Sequence, residues 1–424
     1  MDLNYLSFYA ILNKKIYVGK QEMKEYIKIE NPKDCCGCGA CVNACPVGAI
    51  TMRENEIGFI YPIVNEELCI GCGLCKKVCV FGDKSVGANG EPQVFAAVTK
   101  NQDVLSQSSS GGIFTELAKS VIDKGGAVFG AAWTEDFSVH HILADSINDL
   151  EKLRGSKYVQ SSTEYTFKQA EELLKGGKFV CYSGTPCQIA GLKAFLQKDY
   201  DNLLTIDIIC HGVPSVKMLK DDLAYVSGKK KINIKDVKFR DKKYGWGVNG
   251  SLADGKSKIK YNQGNSPYYF YFLNGEVYRD SCYNCRFPSE GRQGDITLGD
   301  YWGISGELVS QMSGANIDKG ISCVLVNSEK GKKWMAEIED KLTFAISDRK
   351  SVEKRNKQLT HSSIPTSEHN TLLNMYREKG YSAFLYGYKR NYKKRIIIFA
   401  KSIIPKKIKR KLSEVFDNIK SAYR

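Results

Sequence analysis

The chain has 424 residues, 42% hydrophobic and 26% charged, a composition ordinary for a soluble globular protein of two or three domains. Of its net charge of +15, residues 389–424 carry most, with thirteen Lys or Arg against Glu414 and Asp417, so the basicity says little about the body of the chain. Fifteen cysteines are the feature that composition does not explain.

The start, MDLNYLSFYAILNKK, lacks the basic segment and cleavage site of a secretory signal. The expectation is a cytoplasmic chain whose thiols stay reduced and serve as metal ligands or core residues. Residues 1–28 form a leader with no functional reading. Residues 29–84 form a ferredoxin-type domain. In CCGCGACVNACP, Cys35, Cys38, Cys41 and Cys45 are spaced C-x2-C-x2-C-x3-C, with Pro46 following; CIGCGLCKKVC repeats the spacing with Cys69, Cys72, Cys75 and Cys79, and Val80 stands in the proline position. This is the two-cluster pattern in which the fourth cysteine of each run ligates the other cluster. Soft thiolates suit iron–sulfur cubes, and Gly37, Gly39, Gly71 and Gly73 permit the positive φ that such loops need. One [4Fe-4S] cluster is therefore assigned to Cys35, Cys38, Cys41 and Cys79, and a second to Cys69, Cys72, Cys75 and Cys45. Cys36 is left over, because using it in place of Cys35 breaks the spacing. Zinc patterns carry two close pairs rather than two runs of four.

Gly82 to Pro92 is rich in turn formers and reads as a linker. From Gln93 the rhythm is α/β. Ser110 is the expected N-cap of a helix to about Asp123. AVFGAAW and residues 138–144 read as strands, Thr163 to Lys175 as a helix, and KFVCYS as a strand. A helix capped by Thr185 with Pro186 at its first position follows, then the strand LLTIDII, ending at Cys210. A region over 231–345 holds an aromatic run, GDITLGDYWGI and the strand ISCVLVN. From about Ser328 to the end the expectation is helical. The fold class is α+β or α/β: a ferredoxin-like domain, a mixed α/β body over 85–345 covered on both faces, and a helical segment with a basic tail over 346–424.

Six cysteines lie outside the ferredoxin-type segment. Cys181 and Cys323 sit within apolar strands and read as core. Cys187, Cys210, Cys282 and Cys285 lie on separate loops, and open α/β sheets place their sites on loops at strand ends. Spacing alone leaves a third cubane and a structural zinc both open.

The motifs SSGGIFTELAKSVIDKG, RGSKYVQS, SGTPCQIAGLK, CHGVPS, FRDKKYGW, CYNC and GDITLGDYWG follow one another in this order. Together they resemble the beta subunits of coenzyme F(420) hydrogenase and dehydrogenase, above all the bacterial branch with an N-terminal two-cluster ferredoxin. The resemblance covers roughly 29–327. It implies a cytoplasmic iron–sulfur flavoprotein oxidoreductase that exchanges electrons with ferredoxin or another redox protein. It also implies FAD, a deazaflavin coenzyme or other small-molecule substrate, and a link to polysaccharide biosynthesis in many bacterial members. It turns the second cysteine set toward a third [4Fe-4S] cluster, held by Cys187, Cys210, Cys282 and Cys285, and the body over 85–345 toward flavin binding.

An FAD pyrophosphate needs unpaired backbone N–H groups at a helix N-terminus, which the loop Ser109, Ser110, Gly111 and Gly112 offers; the plain alternative is a helix cap. Arg154 and Lys157 are candidates for phosphate, and Gly184 and Thr185 for backbone contact with the flavin ring. A conventional dinucleotide fold is not expected. His211 is the candidate catalytic proton donor, against a hydrogen-bonding loop histidine. Arg240, Lys242 and Trp246 are candidates for an acidic substrate pocket, whereas Asp300 reads as fixing a turn and Tyr268 to Phe272 as core. The basic tail, with an apolar run Ile396 to Ala400 too short to cross a bilayer, reads either as an anionic-membrane surface helix or as a solvated end. No nucleic-acid motif is present. Two further functions stay open: an electron-transfer subunit with no substrate site of its own, and a flavin-free structural or sensor protein.

Overall fold

A computed structural model describes residues 24–82, 90–288, 291–313 and 315–403. Most of the leader, most of the linker and the last part of the basic tail lie outside these residues.

The centre is an eight-stranded mixed sheet. Its strands are β3 (Gln93–Thr99), β4 (Ala127–Trp133), β5 (Val139–Ala144), β6 (Val180–Gly184), β7 (Leu203–Ile208), β11 (Ile296–Asp300), β12 (Ser322–Val326) and β13 (Leu342–Ser347), in the spatial order β13-β3-β12-β11-β7-β6-β4-β5. The four middle strands, β11, β7, β6 and β4, run parallel. The outer pairings are antiparallel. The parallel middle follows from the helical crossovers Thr166–Lys175 and Pro186–Leu196 between β4, β6 and β7, as parallel strands require.

Alternation along the strands covers both faces. Cys181 and Leu204 pack with Ile113, Leu117 and Val121 of helix Ile113–Asp123, while Val180, Tyr182 and Leu203 pack on the opposite face with Phe167, Ile189 and Leu192. Cys181 and Cys323 are fully buried, as their apolar strands require. The aromatic run forms helix Pro267–Leu273, with Tyr268 to Phe272 all buried and Tyr268 to Tyr271 in a core shared with Phe239, Leu373 and Phe384.

Two expectations are corrected. The first long helix is capped by Gly112, not Ser110. The Ser110 hydroxyl donates to the Ile321 carbonyl at 2.9 Å, and the left-handed φ of +89° at Gly112 turns the chain into a helix that begins at Ile113. Residues beyond Ser328 are also not all helical. LTFAIS forms β13, an edge strand paired antiparallel with β3, since a half-exposed edge needs only loose apolar alternation.

Before the sheet, β1 (Ile50–Glu54) and β2 (Ile60–Val64) form an antiparallel hairpin beside the short helices Ala40–Ala44 and Leu74–Lys77. A second small sheet joins β8 (Asp236–Lys238), β9 (Gly250–Ala253) and β10 (Lys258–Tyr261). The N-terminal region docks on the body through Arg279, which is fully buried. Its Nε donates to the Cys35 carbonyl at 2.7 Å and its Nη1 to the Ile60 carbonyl at 2.9 Å, and its guanidinium lies 4.0 Å from the Tyr61 ring centre. Thr163 Oγ1 adds a bond to the Cys38 carbonyl at 2.8 Å. Gly191 permits the close approach, because a Cβ there would lie 2.9 Å from Cys38 Sγ. No helix among the described residues is long and apolar enough to cross a membrane.

Candidate functional site

The two CxxC-type runs curl through left-handed glycines, Gly37 and Gly39 in one and Gly71 and Gly73 in the other. Cys35, Cys38, Cys41 and Cys79 line one small cavity, the four thiols that spacing assigns to one cluster. Cys45, Cys69 and Cys75 share an apolar cluster with Cys41 and Cys79, walled by Ile27, Val42, Ala49 and Ile50. Cys72 is exposed on the loop between Cys69 and Cys75 and bridges to Glu25. Backbone N–H groups point at sulfur: Ile27 to Cys75 at 3.2 Å, Ala49 to Cys45 at 3.2 Å and Gly71 to Cys69 at 3.4 Å. Such bonds suit thiolates that carry iron. Burial pushes the thiols of Cys35, Cys41, Cys75 and Cys79 upward, so a cation arriving here would displace protons. Among the described residues no three His, Cys, Asp or Glu side chains close on a point suited to a single metal ion.

The larger site is a cavity of about 750 Å3. Because β6, β7 and β11 are parallel, the loops after all three emerge at the same edge of the sheet. β6 ends at Gly184, and Thr185 leads straight into the helix Pro186–Leu196, whose first turn carries Cys187. Thr185 forms a capping box with Gln188, with Pro186 at the first helical position as expected, and its hydroxyl lies 3.1 Å from Cys187 Sγ. The loop after β7 carries Cys210 and His211. Cys282 sits in the short helix Asp280–Tyr283 and Cys285 just beyond it; the Arg279 carbonyl accepts from Cys282 N at 2.8 Å. All four thiols line the cavity. The Cys36 thiol beside it, with Thr185, brings the Cys187 thiol down to about 7, whereas burial raises Cys282 to about 12 and Cys285 to about 11.

The same cavity is lined by Ser109, Ser110, Gly112, Arg154, Lys157, Gly184, Thr185 and His211. Gly111 does not line it: its N–H is held by Ser322 Oγ at 2.9 Å and its carbonyl accepts from Thr99 N. Ser109 Oγ accepts from the backbone N–H of Ser156 at 2.8 Å, which ties the serine loop to the RGSKY segment. Arg154 donates from Nη1 to Gln107 at 2.6 Å, and its buried Nε has no partner among the described residues. Lys157 differs from its expectation as a free phosphate ligand. Its Nζ caps the helix Ile147–Leu153 by donating to the carbonyls of Lys152, Leu153 and Arg154 at 3.1, 3.1 and 2.9 Å. His211 is exposed at the cavity's edge, and its carbonyl accepts from Ser363.

Arg240 lines the cavity, fixed by two bonds to Asp300 at 2.7 and 3.1 Å and by one to the Ser109 carbonyl at 3.1 Å. Asp300 also accepts from Trp246 Nε1 at 2.6 Å, so it holds side chains of another region as well as ending β11. Lys242 stands behind the serine loop, donating to the carbonyls of Leu105 and Ser110. His141 was not singled out by sequence. It is buried in the wall, with Nδ1 2.8 Å from Ser161 Oγ and Nε2 3.0 Å from the Ser183 carbonyl, and burial takes its pKa down to about 4. Cys36, set aside by spacing, also lines this cavity. The doublet Cys35-Cys36 was the available signal, since an extended chain turns adjacent side chains to opposite sides.

Models of known families match three stretches. The 4Fe-4S dicluster domain matches residues 34–82, the N-terminal part of the coenzyme F420 hydrogenase/dehydrogenase beta subunit matches 94–167, and its C-terminal part matches 177–351. A subunit of the F(420)H(2) dehydrogenase of Methanosarcina mazei is 20% identical over 366 residues, covering 79% of this chain and 91% of that protein. A chain of the F420-reducing [NiFe] hydrogenase complex from Methanosarcina barkeri is similar at 15% identity and a TM-score of 0.43, over 64% of this chain and 88% of its own. The two halves of one beta subunit thus run in sequence through the sheet and cavity, behind a 4Fe-4S dicluster domain, and the chain belongs to the family of coenzyme F420 hydrogenase/dehydrogenase beta subunits.

Proposed function

We propose that this protein is an iron–sulfur flavoprotein oxidoreductase. Cys35, Cys38, Cys41 and Cys79 hold one [4Fe-4S] cluster in this reading, Cys45, Cys69, Cys72 and Cys75 a second, and Cys187, Cys210, Cys282 and Cys285 a third. FAD takes the remainder of the large cavity. The observation that carries the proposal is one cavity of about 750 Å3 lined both by four thiols from three segments of the chain and by a serine-rich helix entrance. Cofactor sites span roughly 300–1,000 Å3. The clusters would supply one-electron carriage and the flavin the exchange between a hydride's two electrons and single electrons.

The chain's own residues have separate tasks. The N-terminus of helix Ile113–Asp123, uncapped by any side chain, and the unpartnered Arg154 Nε favour the phosphates of the cofactor. Arg240, lying 5.3 Å from the Trp302 ring centre and with its charge compensated by Asp300, is a rigid polar wall of the part proposed for an acidic substrate. His211 is the proposed proton donor at the cavity's edge. The substrate proposed is a reduced deazaflavin coenzyme, on the strength of the name of the Methanosarcina mazei relative. The test is anaerobic purification followed by denaturation. One FAD released per chain, with reduction of a one-electron acceptor by reduced deazaflavin, supports the proposal; a colourless chain without flavin refutes it.

A second reading makes the chain an electron-transfer subunit that works only beside a larger partner. It is favoured by the apolar Val47, Leu68 and Ile70, exposed next to Cys45 and Cys69, and by the relative's being named as one subunit of a dehydrogenase. A chain full of cofactor yet inactive alone would favour this reading. The helix Tyr392–Ile403, with Ile396 and Ile397 exposed among basic residues, supports the idea of an anionic membrane surface. Liposome flotation with and without residues 389–424 checks it, and equal flotation removes it.

A further inference from the structure

The doublet Cys35-Cys36 places one thiol in the small cavity and the next between the two cavities. Cys35 is extended, with φ −140° and ψ 120°, and adjacent side chains of an extended chain alternate. Cys35 faces the small cavity with Cys38, Cys41 and Cys79. Cys36 lines the large cavity with Cys187, Cys210, Cys282 and Cys285. Cys36 also borders the small cavity, and it alone among the described residues lines both. Its side chain packs in one cluster with those of Cys38 and Cys187. The three sulfurs pack together with Val80, Ala190 and Phe287. Gln160 steadies the backbone, donating from Nε2 to the Cys36 carbonyl at 3.4 Å.

Each side already has four thiols, so Cys36 has no cube of its own to ligate. We infer that Cys36 is a non-ligand thiol bridging two cluster sites, a positioning residue whose S–H donates to the sulfur of Cys187 and couples the cavity cluster to the one beside Cys38. A hydrogen bond to a ligand sulfur stabilises the extra electron of the reduced state and so raises the reduction potential. No bond of Cys36 breaks, and its proton stays on sulfur. This inference rests on the cavity thiols holding a cluster.

The test uses the full chain, purified anaerobically and reduced stepwise with dithionite under EPR, beside Cys36→Ala and Cys36→Ser. Iron and sulfide per chain are expected to stay unchanged in both variants. In Cys36→Ala the cavity cluster titrates at a more negative potential and its magnetic coupling to the neighbouring cluster weakens. Electron equilibration between the two slows. Cys36→Ser, which keeps an O–H donor, lies between. Loss of about four irons per chain in Cys36→Ala would make Cys36 a ligand and overturn the inference. Full iron with unaltered potential and coupling overturns it too. About eight irons in the unaltered chain would instead sink the cavity cluster on which it rests.

Discussion

Arg154 and Lys157 lie three residues apart, and the structure gives them different work. The three donors of Lys157 meet helix carbonyls, whereas Arg154 keeps a buried Nε without a partner among the described residues. If the cavity holds FAD as proposed, Arg154→Ala should weaken its binding by about tenfold, the usual scale for one charge-assisted bond, with little change in thermal stability. Flavin fluorescence titration of the deflavinated chain reads this, and equal affinity would remove Arg154 from the phosphate site. His141 offers a pH test. Burial holds its folded pKa near 4, below the value of about 6.5 expected when unfolded, so the unfolded chain takes the proton first on acidification. Its contribution is complete above pH 6.5 and is lost as the pH falls toward 4, by up to about 3 kcal/mol. The thermal midpoint should fall less steeply with acid in His141→Gln than in the unaltered chain. Parallel curves would show that His141 is not the group responsible.

At the scale of elements, what matters is how the ferredoxin-type loops are held against the body. Arg279 is buried and bonds the carbonyls of Cys35 and Ile60 from another part of the chain. Truncation in Arg279→Ala strands those acceptors and should cost about 3 kcal/mol in urea unfolding. A change below about 0.5 kcal/mol, the range of an ordinary surface site, would contradict that role. Gly191 makes a second contact. Gly191→Ala would push a methyl to 2.9 Å from Cys38 Sγ, so overpacking of about 1–3 kcal/mol should appear together with loss of iron from the adjoining site. Full iron retention would show that the helix shifts without disturbing Cys38.

Some elements were legible in sequence and some were not, for physical reasons. The eight N-terminal cysteines, the Thr185–Pro186 helix start and the strands of the parallel middle are local patterns, set by spacing, capping and alternation over a few residues. The start at Gly112 was missed because the Ser110 hydroxyl is drawn off by Ile321, more than two hundred positions away. β13 was missed because its strand character comes from pairing with β3, on the far side of the sequence.

For the whole molecule, the sheet converts separate motifs into one site. Cys187, Cys210 and the Cys282–Cys285 pair are distant in sequence, yet the shared direction of β6, β7 and β11 brings the first two to one edge, and Arg279 ties the last pair beside them. Spacing could not choose between a cube, a zinc ion and unrelated thiols here, because loop convergence is a tertiary property. The same limit hid Cys36, whose neighbours come from two halves of the molecule.

Iron and acid-labile sulfide per chain, measured on anaerobically purified unaltered protein and on Cys282→Ser/Cys285→Ser, test the central claim most directly. Three cubanes predict about twelve irons falling to about eight in the double variant, with the N-terminal EPR signals retained. About eight irons in both proteins would contradict a cluster in the large cavity.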